Sequence, residues 1–277
     1  MSSSQVWRFL LGSLLTIIVA YAVLLSFGNL TGIIIPVAGI SYIVDGIVLS
    51  IVGRIVLGRA KNTLADNPIY LYLALFFILS GIFMILIGAA HMTLFLHPEM
   101  FMYAQNWGYI TSHIFLYAAN AYMARVLSLI FFPRFERPFF YVMLAGGAIV
   151  TIVNILLPGA PMFDVTNGLS YFNTDSLVGP LIPLVIIPVY IPAAILFAIQ
   201  AFRTSIPEIR QRGILTAVGF AVLFVFGPLH DVAHTTLEYA LADIFTLGGF
   251  FMIAGAVLLS HSASAFVRKQ PVPGPQA

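Results

Sequence analysis

The sequence predicts an all-α protein: a polytopic membrane bundle of eight transmembrane helices with the N-terminus and C-terminus cytoplasmic. Three observations predict it. The chain is 61% hydrophobic and 8% charged, whereas soluble domains average about 25% charged residues, so there is too little polar surface to coat a globule in water. Apolar runs of about 20 residues, the length that crosses a bilayer as a helix, recur along the chain and are too long for barrel strands. The 12 Lys and Arg collect at one set of connections.

Eight runs meet the length requirement: 7–27, 32–57, 69–96, 108–132, 138–158, 178–203, 212–235 and 240–267. The first lacks a small-residue cleavage site and reads as a retained span, not a signal peptide. Gly28-Asn29-Leu30-Thr31-Gly32 reads as the turn into the second, and Asp66-Asn67-Pro68 starts the third. Pro133 and Pro138 bracket the short loop between the fourth and fifth. Pro158-Gly159-Ala160-Pro161 opens the longest loop. The sixth run holds Pro180, Pro183, Pro188 and Pro192, so it is expected to be bent or partly unwound. Such a helix either borders a cavity or has its prolines accommodated by its neighbours. Residues 1–270 are expected to form a single transmembrane domain, and 271–277 a disordered polar tail.

Orientation follows from charge. The even-numbered connections hold Arg59 and Lys61, then Arg134 and Arg137, then Arg203, Arg210 and Arg212. The ends hold Arg8, Arg268 and Lys269, while the odd-numbered loops hold Glu99, Asp164, Asp175 and Glu238 with no Lys or Arg. This positive-inside asymmetry puts the even connections in the cytoplasm and suggests a plasma-membrane protein. Arg54 and Arg125 lie within spans near that side, where long side chains can snorkel. The net charge of +2 gives no case for nucleic acid; membrane lipid is the expected surrounding. Cysteine is absent, which removes disulfides, thiolate metal sites and Fe–S clusters.

Four histidines gather near the opposite, extracytoplasmic ends. His230 is 18 residues past Arg212, roughly 27 Å along a helix. His234 follows by one turn, and His91 and His113 sit on two arms of one hairpin at similar depth. His230 and His234 are four apart, so on a continuous helix they share a face and can chelate one metal. Three readings remain open: interfacial residues bonded to water and headgroups, a Zn, Cu or Fe site with all-nitrogen ligation, or haem b held by two imidazoles from different helices. Asp231, Glu238 and Asp243 are candidate partners for a ring N–H.

In the H-x-x-x-H of the penultimate span, His230 and His234, the chain resembles the intramembrane zinc hydrolases that include alkaline ceramidases and adiponectin receptors. The resemblance covers that one motif. That family places a Ser four residues before its first histidine, whereas Ile87 and Tyr109 stand at that spacing from His91 and His113. The number of spans differs too.

Asp45 is expected near the middle of the second span, where a carboxylate is costly unless paired or protonated. Arg125 is its candidate partner, in a proton or ion relay or a structural pair. Two classes of function follow. One is a membrane metalloprotein doing redox or lipid-directed chemistry, with other membrane subunits in a respiratory or oxidase-type complex. The other is a non-catalytic subunit, a sensor domain, or a transporter that uses Asp45 as its coupling carboxylate.

Overall fold

The computed structural model describes residues 3–31, 36–61, 68–164, 169–172, 174–229 and 233–258. Its helices are α1 (Ser3–Thr31), α2 (Val37–Lys61), α3 (Ile69–Leu96), the single turn α4 (Phe101–Tyr103), α5 (Thr111–Phe131), α6 (Glu136–Leu156), α7 (Leu181–Arg203), α8 (Pro207–Phe226) and α9 (Thr236–Leu258). Among the described residues, eight helical segments are long and apolar enough to cross a membrane. This is the architecture of an integral membrane protein. The fourth segment is compound: a 3-10 turn at Pro98–Met100, then α4, then a π-helix at Ala104–Ile110, then α5.

Several expected details differ. α1 continues through Gly28–Thr31, where a turn is expected; a span tolerates glycine better than a soluble helix does. α7 runs unbroken through Pro188 and Pro192, so the proline-rich segment is not unwound and its neighbours absorb the missing donors. α8 stops at Phe226, nine residues short of the expected 235, because Pro228 lacks the N–H that the next turn of helix needs. The longest loop folds as a small antiparallel hairpin, β1 (Met162–Asp164) with β2 (Leu169–Tyr171), in register Met162↔Tyr171.

The pairs α2–α3, α3–α5, α5–α6, α7–α8 and α8–α9 pack as neighbours along the chain, and α9 closes the bundle against α1 and α2. The closest pair is α2 with α3. Gly39, Gly46 and Gly53 on α2 recur every seven residues and face Gly88, Gly81 and Ala74 on α3. A Cβ at Gly46 would come within 2.6 Å of the Gly81 carbonyl oxygen, and one at Gly88 within 2.8 Å of the Gly39 oxygen. The two backbones therefore touch, as small residues allow in membrane helix pairs. Gly219 and Gly249 bring α8 and α9 together in the same way.

The seam directs Asp45. With 3.6 residues per turn, a residue next to Gly46 points about 100° away from α3, toward α9. The end of the bundle that joins α1 to α2, α3 to α5, α6 to α7 and α8 to α9 is called the histidine end below, and the other the arginine end.

Candidate functional site

Asp45 lies eight residues into α2 and Asp243 seven residues into α9, so each is about 10–12 Å below the histidine end of its helix. Both are 1% exposed. Asp45 is therefore nearer the histidine end than the middle of its span. The two carboxyl groups lie within hydrogen-bonding reach of each other. Neither Asp45 oxygen meets a donor among the described residues, and no cation stands beside them there. Two neighbouring buried carboxylates repel strongly in an apolar interior when both are charged. A proton shared between them would supply the missing donor. Tyr21, from α1, donates its hydroxyl to Asp243 Oδ2, and Ser41 stands beside Tyr21.

An aromatic layer covers this pair on the histidine-end side. Tyr239 lies near Asp243, with its hydroxyl in reach of the Tyr42 hydroxyl; their rings meet edge to face at 6.1 Å. Tyr42 stacks on His91 at 5.5 Å. Phe172 crosses His91 at 4.7 Å and stacks on Tyr109 at 5.1 Å. Tyr109 in turn lies 4.3 Å from His113. His113 Nδ1 donates to the Tyr109 carbonyl at 2.8 Å, which makes Nε2 the ring's acceptor.

Beside this layer is a cavity of about 960 Å³. Its mouth includes the exposed Met162 and His234, and its interior reaches the buried Tyr190, Phe250 and Thr246. Tyr42 and His113 line it as well. Tyr171, on β2, ties the rim by donating its hydroxyl to the Ala233 carbonyl. Tyr42 thus belongs both to the cavity wall and to the aromatic layer that lies over the carboxyl pair.

The expected histidine site is placed differently. His91 and His113 are both buried at the histidine end, but Phe172 and Tyr109 stand between them. His234 lies past the end of α8, exposed in the connection to α9, so the shared helix face that an i,i+4 chelate needs is not formed at that residue. His230 and Asp231 lie outside the described residues. Among the described residues, no three His, Cys, Asp or Glu side chains are grouped to hold a metal ion.

Glu238 and Asp243, expected as partners for a ring N–H, meet other groups. Glu238 caps α9: its Oε2 accepts from the backbone N–H of His234 at 2.8 Å and of Thr235 at 3.1 Å, while its own N–H donates to Thr235 Oγ1 at 3.2 Å. That is a capping box, T-x-x-E. Asp243 faces Asp45 and Tyr21, not a histidine. Arg125 does not partner Asp45. It pairs with Glu136 and lies 4.3 Å over the Tyr72 ring and 5.2 Å over Phe140. Glu136 begins α6, directly after the short loop, so the guanidinium finds its carboxylate locally at the arginine end.

The Asp45–Asp243 pairing was not readable from the sequence, since 198 residues separate the two and no local motif marks them. The sequence shows only that each acidic residue falls inside an apolar run; their common depth follows from helix starts at Val37 and Thr236. No protein-family model matches the chain, and no curated protein matches it, so the function rests on this geometry.

Proposed function

We propose that this is a proton-coupled membrane transporter in which the Asp45–Asp243 pair binds and releases the coupling proton. The observation that carries this reading is the pair itself, two carboxyl groups buried at one depth on facing helices, with Tyr21 donating to Asp243. An ionisable group within a membrane span marks a proton or ion path by default. A lone structural carboxyl needs one donor, whereas two facing each other form a site whose occupancy by a proton decides their charge. Tyr42 and Tyr239 lie between the pair and the cavity, where a solute would enter. Protonation of the pair relieves repulsion between α2 and α9, and its loss restores that repulsion. The two states thus differ in how these helices pack, which is what alternating access requires.

Charge movement on solid-supported proteoliposomes tests this without knowledge of the solute. A rapid pH jump should give a transient current from proton binding in the parent protein. Asp45→Asn and Asp243→Asn should each remove it while the protein remains monodisperse and inserted. A transient of unchanged size in both variants would overturn the reading.

A further inference from the structure

We infer that the histidine-end cavity is a binding site for a neutral, largely apolar molecule with a hydroxyl head, of the class of long-chain alcohols and phenols. This inference stands on the cavity alone and holds whether or not the carboxyl pair moves protons. Volume comes first: about 960 Å³ is at the upper end for sites that enclose a small molecule. It is more room than a bound water or an ion needs.

Charge comes second. Among the described residues no Lys, Arg, Asp or Glu lines the cavity, so a charged ligand held there would be desolvated without a counter-ion from them. That excludes fatty acids, amines and phosphorylated headgroups as ligands held within it. Aliphatic and aromatic walls, among them Phe83, Ile186, Phe224 and Phe250, suit a hydrocarbon body.

Polarity comes third, and it selects the head. His113 lines the cavity with Nδ1 already committed to the Tyr109 carbonyl, so the nitrogen left for a ligand is an acceptor and requires a donor. Tyr190 also lines the cavity, is 6% exposed, and its hydroxyl makes no hydrogen bond among the described residues. The hydroxyl opens onto the cavity and is not sealed in the packing, so it can donate to a ligand oxygen. A hydroxyl donates to an imidazole nitrogen and accepts from a phenol; a carbonyl or ether can only accept. The ligand hydroxyl is therefore placed against His113, Tyr190, or both.

The absence of cysteine makes the test direct. Met162→Cys, at the exposed mouth, is labelled with an environment-sensitive fluorophore in the full-length protein in nanodiscs and titrated with dodecanol. The comparison probes are dodecane, dodecanoate and dodecyltrimethylammonium. Dodecanol should give a saturable change, and the three others should bind at least about tenfold more weakly, the worth of one hydrogen bond to a well-placed partner. His113→Phe, which keeps an aromatic ring but removes the acceptor, should weaken dodecanol by a similar factor. Tyr190→Phe is the milder second variant and should do so without any risk to packing. Equal binding of dodecane and dodecanol, tighter binding of either charged probe, or unchanged dodecanol affinity in both variants would overturn the assignment.

Discussion

Arg125 shows how a cation inside a span is settled by its nearest neighbours. Its guanidinium pairs with Glu136 and lies over two aromatic rings. A lysine keeps the charge but not the planar face that stacks. Arg125→Lys should therefore lower stability by about 1–2 kcal/mol, read as a drop in thermal midpoint in detergent, with no effect on the pH-jump current. Had Arg125 been the partner of Asp45, that current would change. Glu238 offers a second test. Glu238→Ala should speed amide exchange at the start of α9, while Glu238→Gln, which can still close the capping box, should be milder. The T-x-x-E signature of this box, Thr235 to Glu238, is legible in the sequence. His234, off the helix, is expected to hold no metal. Elemental analysis checks this: stoichiometric Zn, Cu or Fe that disappears in His234→Ala would reverse it.

The α2–α3 pair is held by contact between backbones. Gly46→Ala places a methyl 2.6 Å from the Gly81 oxygen, so the helices must separate. We expect a loss of about 1–3 kcal/mol, as for other overpacked sites. Gly12→Ala is the control: a Cβ there meets nothing within 4 Å, so only the helix propensity gain remains, and stability should hold or rise. Thermal unfolding of the two variants side by side reads the difference. Separation at Gly46 also moves Asp45 relative to α9, so the same variant should shrink the pH-jump transient, whereas Gly12→Ala should not. The heptad of glycines was present in the sequence but is visible only when the second and third runs are aligned in opposite directions. The end of α8 was legible as well: Pro228 is where its hydrogen-bond ladder fails.

Span number follows from composition because each crossing must be apolar for about 20 residues, and this constraint is local. Which helices touch is not local, so the closure of α9 onto α1 and α2, and with it the carboxyl pair, lies beyond what periodicity encodes. Charge asymmetry adds an expectation about sidedness. With the arginine end cytoplasmic, Ser176→Cys, in an exposed stretch before α7, should react with an impermeant thiol reagent applied outside intact cells. Gln211→Cys, exposed near the start of α8, should react only after permeabilisation. The opposite pattern would place the cavity mouth in the cytoplasm and reverse the side from which its ligand enters.

The π-helix at Ala104–Ile110 bears on length variation. Each α-helical residue advances the chain by about 100°, and a π segment stores one residue beyond the α count. Removing exposed Asn106 would let the segment rewind as an α-helix, with α5 unmoved and His113 still facing the cavity. The angular error would fall on residues before Ala104, in a connection that has few partners. The same deletion inside α5 would swing every side chain on one side of it out of phase. The segment thus acts as slack in the thread, a place where the gene can lose a codon while the wall of the cavity keeps its bearing.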